Sequence, residues 1–280
     1  MTTASHPQTP LLSRLRNRLG IRFMRTYLTL RRKLCGRPFW IDNGYLQLPF
    51  HGDGDQQELL YQLNGRFWWE YESHLLSPYI QPGSFVIDVG ANLGFMSAIF
   101  SSLAGDAGRI YSFEPSPTVY AKLLEVIRMN GCANVCANNM GCGREEQSLT
   151  LYSPLTSGNA TLRPDRNLEH EAMEKQSVRI VKLDDFLGPE LDRLNFVKID
   201  TEGFEDEVLA GARGLLQRFK PVVYLELSAE YLAASKAAVG ILRELGYTFT
   251  REFSFDQITS PENYIALPPG YQGLLSNRVI

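Results

Sequence analysis

Long hydrophobic runs are missing from this chain: no stretch approaches the ~18 consecutive apolar residues that a membrane-spanning helix requires. The N-terminus shows neither the apolar segment nor the small-residue cleavage site of a signal peptide, so the expected location is the cytosol. Cysteine is scarce as well. Cys35, Cys132, Cys136 and Cys142 are too few and too unevenly placed for a disulfide framework, and none stands in a Cys-x-x-Cys pair. Reduced, structural thiols are the expectation, and with four histidines scattered along the chain no His/Cys cluster supports zinc. Internal repeats, low-complexity tracts and long flexible linkers are absent too. What remains, 280 residues with 44% apolar content, suits one large domain with an N-terminal extension.

Acidic residues are missing from one region in particular. Residues 1–41 hold nine Lys or Arg and no Asp or Glu, which leaves residues 42–280 with 19 bases against 31 acids. A basic arm precedes an acidic body, and such a body is unsuited to nucleic acid. In the arm, Leu12, Leu15, Leu19, Phe23, Tyr27 and Leu34 recur at helical spacing between arginines. This amphipathic helix either packs on the body or makes a peripheral contact with an anionic membrane surface or an acidic substrate. Asn43-Gly44 between Phe39–Ile41 and Tyr45–Leu48 predicts a tight hairpin turn. Helical spacing over residues 55–80 predicts one or two lead-in helices. Residues 1–82 are thus the extension and 83–280 the ligand-binding domain.

From Ser84, short apolar runs alternate with helical stretches, the signature of strand-helix-strand units around a parallel sheet. Strands are expected over residues 85–87, 109–113, 134–140, 195–199 and 222–227, with helices over 93–104, 117–129, 204–219 and 230–245. A polar excursion over 144–182 carries two more strands, 148–152 and 178–183. Residues 247–249 and 264–267 form a terminal antiparallel pair. The fold class is α/β, a doubly wound Rossmann-like sheet, in which ligands bind beyond the carboxyl ends of the strands.

Chemistry-bearing residues gather at those ends. The first strand finishes in Asp88-Val89-Gly90-Ala91-Asn92-Leu93-Gly94, a glycine turn that is neither the Gly-x-Gly-x-x-Gly fingerprint nor a Walker loop. The second finishes in Phe113-Glu114-Pro115, which places a carboxylate 20 residues after Gly94, where it suits a ribose diol. Asp88 at the first tip suits a cationic amino group better than a pyrophosphate, and so favours S-adenosylmethionine over NAD. Asn138-Asn139-Met140-Gly141 at the third tip either borders an adenine or forms an ordinary turn. The fourth strand runs into Asp200-Thr201-Glu202-Gly203, where Asp200 and Glu202 either meet a ligand or cap the next helix.

These segments, with Asn130, Val197-Lys198-Ile199 before Asp200, Glu207–Gly211 and Pro221–Glu226, resemble the FkbM family of S-adenosylmethionine-dependent methyltransferases in register from Glu70 to Leu267. The resemblance implies a class I methyltransferase fold and methyl transfer to a hydroxyl oxygen of a sugar, glycolipid or natural product. It implies Asp88, Gly90, Asn92 and Gly94 near the methionine part of the donor, Glu114 with Pro115 at the ribose, and Asn139 and Met140 at the adenine. Asp200 and Glu202 fall at the transfer site. Two positions depart from the family pattern: Thr201, where Val is frequent, and Gly141, where Ala is usual.

Asp200 is the expected general base, and strand alternation puts Lys198 on the same face, within reach of an ion pair. His170, in the excursion, is expected on the substrate side, whereas His74 is expected to pack against the body. A magnesium-assisted variant through Asp200, Glu202 and Glu226 is the lesser alternative, and no resident metal is expected. The competing functions are an NAD-dependent oxidoreductase, a nucleic-acid methyltransferase and a non-catalytic cofactor-binding scaffold.

Overall fold

A computed structural model describes residues 39–42, 47–50, 69–154, 160–163 and 173–272. The basic arm expected before residue 39 and His170 lie outside the described residues. Strands β1 (Phe39–Asp42) and β2 (Gln47–Phe50) pair antiparallel, with Asp42 opposite Gln47. The Asn43-Gly44 turn expected between them lies outside the described residues.

Helical residues 69–76 lead into β3 (Phe85–Val89), α1 (Phe95–Ala104), β4 (Arg109–Phe113), α2 (Pro117–Met129) and β5 (Val135–Asn138). Helix α2 begins where the sequence dictates. Pro117 has the fixed φ suited to a first turn, and the Ser116 hydroxyl accepts from Val119 N. The third strand ends earlier than expected: Gly141–Cys142 (β6) leaves the main sheet and pairs with β8 instead. Strands β7 (Gln147–Pro154) and β8 (Met173–Val181) form a long antiparallel pair that completes a separate three-stranded sheet, β6-β8-β7.

The chain continues through α3 (Leu183–Phe186), β9 (Phe196–Ile199), α4 (Glu205–Gly211), α5 (Arg213–Phe219), β10 (Val222–Leu227), α6 (Leu232–Glu244), β11 (Thr248–Phe249) and β12 (Glu262–Leu267). One helix was expected over 204–219, and two are found. Gly211 lies so close to β6 that a Cβ there would stand 1.9 Å from the Gly143 carbonyl oxygen, and a new helix starts after Ala212. Asp184 on α3 caps that second start, accepting from Gly214 N and Leu215 N at 2.9 and 2.8 Å.

The main sheet has the order β11-β12-β10-β9-β3-β4-β5, parallel from β5 to β10, with β12 antiparallel to β10 and to β11. This is the doubly wound class I methyltransferase architecture expected. Successive strand residues face opposite layers. Ile87, Val89, Phe113, Val197 and Val223 pack with α4, α5 and α6, whereas Val86, Ile110, Phe196 and Val222 pack with α1 and with Leu76 and Ile80. His74, expected against the body, is exposed. Cys132, Cys136 and Cys142 are free thiols. Strand order reverses between β3 and β9, which opens a crevice at their carboxyl ends.

Candidate active site

At that reversal, β3 and β9 end side by side, and their loops interlock. The turn after β3 is fixed by Gly90 N and Ala91 N, both donating to the Phe113 carbonyl at 3.0 Å. Gly90 has φ +75°, and a Cβ there would meet the Asp200 carbonyl oxygen at 1.8 Å, so only glycine lets the donor turn lie against the β9 tip. A cavity of about 320 Å³ opens beyond these tips, within the range of small-molecule sites.

On the β4 side, Glu114 lines the cavity from a buried position. Its Oε2 accepts from Asn92 N and its Oε1 from Ser116 N, each at 2.9 Å. Burial pushes its carboxyl up to about 7 against the pull of those two amides. Pro115, Val119, Cys142, Leu151 and Leu162 make an apolar wall beside it. A carboxylate suited to a diol, next to an apolar slot suited to a flat ring, fits the ribose and adenine of an adenosyl group. Gly90 and Asn92 continue the wall toward β9.

On the β9 and β10 side, Asp200, Glu202 and Glu226 face the cavity with carboxylate oxygens within 4.8 Å of one another. Glu226 stands on β10, and Glu205 builds the loop that presents Asp200 and Glu202: its Oε1 accepts from Thr201 N, Thr201 Oγ1 and Gly203 N. Glu202 itself sits at φ +52°, and its carbonyl accepts from Thr161 Oγ1 at 2.7 Å. Burial first, then the neighbouring carboxylates, push Glu202 up to about 8 and Glu226 up to about 10. At neutral pH both are therefore predominantly protonated.

The structure thus brings Gly90, Asn92, Glu114, Pro115, Asp200 and Glu202 into one cavity. It does not bring Asp88, Gly94, Asn139 or Met140 to the cavity wall. Asp88 is fully buried behind the turn, where Oδ2 accepts from Ser97 Oγ at 2.6 Å. Its Oδ1 has no hydrogen-bond partner among the described residues and is met by Lys198 Nζ at 3.5 Å. A direct contact between Asp88 and a cationic ligand is therefore replaced by an internal ion pair. Gly94 begins α1 and lies against Leu123. Asn139 is exposed, its amide donating to the Glu114 and Pro115 carbonyls, and Met140 packs on the core. At the third tip, Asn139 therefore braces the second tip, and the wall is formed by Gly141 and Cys142 instead of Asn139 and Met140.

The excursion, which the sequence places over the crevice with residues 157–161 either a substrate loop or a solvated connector, supplies part of the wall through Ala160 and Leu162. Ala160 and Leu162 reach the cavity because Thr161 bridges to Tyr152 and Arg163 donates to Asp206, Glu207 and the Gly203 carbonyl. No local pattern signals those long-range ties. Pro261, before β12, closes the opposite rim.

Comparison with known proteins adds the family. The sequence model of the methyltransferase FkbM domain matches residues 88–249, more than half of the chain. Methyltransferase 1 of Beauveria bassiana (strain ARSEF 2860) is 34% identical over 146 residues, 46% of this chain and 58% of that protein. Methyltransferase sdnD of Sordaria araneosa is 30% identical over 156 residues, 45% of this chain and 60% of that protein. The chain spans about three fifths of the length of these curated relatives. Among solved structures, methyltransferase FkbM from Methylobacillus flagellatus KT aligns with a TM-score of 0.44 at 18% identity, over 74% of this chain and 52% of that one.

Proposed function

The chain belongs to the FkbM methyltransferase family, and from that premise we propose that it transfers the methyl group of S-adenosylmethionine to a hydroxyl oxygen of a small-molecule or glycan acceptor, a sugar, glycolipid or natural product. The observation that carries the reading is the position of Asp200, at the strand-order reversal, in one cavity with Glu114 and beside Glu202 and Glu226.

S-adenosylmethionine supplies an electrophilic methyl group on a sulfonium centre. The protein's part is to hold the acceptor in line and to take its proton. Glu114 and the apolar slot beside it hold the adenosyl part, and the Gly90–Asn92 turn faces the methionine part. Asp200 accepts the acceptor's hydroxyl proton. Lys198 Nζ, 3.3 Å from Asp200 Oδ2, serves as counter-ion to that carboxylate. Glu202 and Glu226, carrying protons at neutral pH, donate hydrogen bonds to a neighbouring oxygen of the acceptor. Ala160, Leu162 and Pro261 narrow the mouth and limit the water that reaches the reacting atoms.

The test is Asp200→Asn, assayed against sugar and lipid acceptors by the 14-dalton mass gain of the product. The expected outcome is a fall in kcat of roughly 10²- to 10⁴-fold with S-adenosylhomocysteine affinity retained. Unchanged turnover would remove Asp200 from the reaction. No turnover by the parent across both acceptor classes would favour the scaffold reading.

A further inference from the structure

The ammonium of Lys198 is a buried charge that the reaction described so far uses only as a counter-ion. Its side chain is 5% exposed, and it stands on β9 directly opposite Asp88 in the β3–β9 register. Among the groups that approach Nζ are the Gly90 carbonyl at 2.8 Å, Asp200 Oδ2 at 3.3 Å and Asp88 Oδ1 at 3.5 Å. Each belongs to a different part of the site. Gly90 is the donor-binding turn, Asp200 the acceptor side, and Asp88 an anchor fully out of solvent. The anchor is itself fixed, because Ser97 Oγ donates to Asp88 and lies 2.8 Å from Ser112 Oγ.

Burying an ammonium is costly unless partners surround it, so this arrangement is not one that packing alone selects. A strand interior would be served as well by an apolar residue. What a cation adds is a tether with one end in the sheet and two ends at the cavity rim. We propose that Lys198 is a positioning residue: anchored by Asp88, it ties the Gly90 turn to Asp200, so that donor binding and the orientation of the accepting carboxylate are set by one buried ammonium. The proposal rests on the reading of Asp200 as the proton acceptor. With Oδ2 turned to Lys198, Oδ1 is the oxygen offered to the acceptor hydroxyl.

The other titratable groups around this point are acidic: Glu72 from the lead-in helix, Glu114 after β4, Glu202 and Glu205 from the β9–α4 stretch, Tyr224 and Glu226 from β10, and Glu230 beyond it. Removing the ammonium therefore leaves Asp200 among acids, and removing Asp88 leaves the ammonium turned more fully to Asp200. The two substitutions push Asp200 in opposite directions by charge alone, and a tether adds that donor affinity at the Gly90 turn falls when the ammonium is removed.

The titration and binding measurements need no acceptor. Full-length protein carrying ¹³C-labelled aspartate carboxyls is titrated by NMR, the Asp200 resonance being assigned by its loss in D200N. S-adenosylhomocysteine affinity is measured in parallel by calorimetry. In K198M the Asp200 resonance is expected to titrate about one pH unit or more higher than in the parent, with S-adenosylhomocysteine bound about tenfold more weakly. In D88N it is expected to titrate lower. Where K198M does not fold, the direction seen in D88N decides. An unmoved Asp200 titration in the folded variants, with unchanged affinity, would overturn the tether. Turnover surviving in D200N would instead overturn the acceptor reading beneath it, while loss of turnover in D200N with no response to K198M would leave that reading standing and remove the tether.

Discussion

Glu114 has both carboxylate oxygens engaged before any ligand arrives, one by Asn92 N and one by Ser116 N. Only the ionised form can accept those amides and a ribose diol together. Since burial holds this carboxyl at about 7, lowering the pH through that value protonates it and removes acceptor capacity. S-adenosylhomocysteine affinity is therefore expected to weaken between pH 8 and pH 6, as read by calorimetry. Glu114→Gln turns an amide N–H toward one of two N–H donors, and is expected to weaken binding by roughly 10- to 100-fold, the cost of a buried unsatisfied polar group, and to flatten its pH dependence. Binding by the variant at the parent's affinity would contradict this role. The comparison with Asp88 shows where sequence reading stops at this scale. Both are acids at strand tips followed by a turn, and nothing local separates them. Asp88 faces inward because Ser97 on α1 and Lys198 on β9 meet it there, and these contacts exist only after the sheet has assembled.

Elements decide how the tips converge. The Gly90 turn lies in van der Waals contact with the β9 end, and Gly90→Ala would force the Asp200 carbonyl aside while holding alanine at φ +75°. The expected result is a loss of at least about 2 kcal/mol of stability, seen as a lower urea midpoint, together with lost S-adenosylhomocysteine binding. A fully stable, binding-competent variant would contradict the interlock. Asp184 provides a contrast away from the site. Its carboxylate caps α5 across a tertiary contact, so Asp184→Ala is expected to cost about 1–2 kcal/mol in the same unfolding measurement and to leave ligand affinity unchanged. Hydrophobic periodicity made β4, α2 and β10 legible to the residue. The break at Ala212 was not legible, because its cause is the approach of Gly211 to the Gly143 carbonyl from another sheet. The departure of Gly141–Cys142 into the second sheet was hidden for the same reason: nothing in residues 134–140 marks where the pairing partner changes.

At the scale of the molecule, the acid cluster at the sheet's edge shapes the response to pH. Glu202 and Glu226 are raised above the ordinary 4.5, to about 8 and about 10, by burial first and then by neighbouring carboxylates, Asp200 foremost. The folded protein thus holds protons there that the unfolded chain releases above 4.5, and stability falls as pH rises from about 5 toward 9. Glu226→Gln removes part of that penalty, so its melting temperature is expected to exceed the parent's at pH 9 and to match it more closely at pH 5. Equal slopes in both proteins would show that the cluster titrates normally. The doubly wound sheet and the clustering of acids at its tips followed from the sequence because both repeat with the strand period. That the excursion covers the crevice was legible too, but which of its residues line the wall was not, since Ala160 and Leu162 depend on where the excursion returns. One cavity is to hold an adenosyl donor beside Asp200, and calorimetry with the parent protein tests this most directly. One-to-one binding of S-adenosylhomocysteine, weakened in Glu114→Gln, kept in Asp200→Asn and absent for NAD, is the expected result; binding of NAD with none of S-adenosylhomocysteine would contradict it.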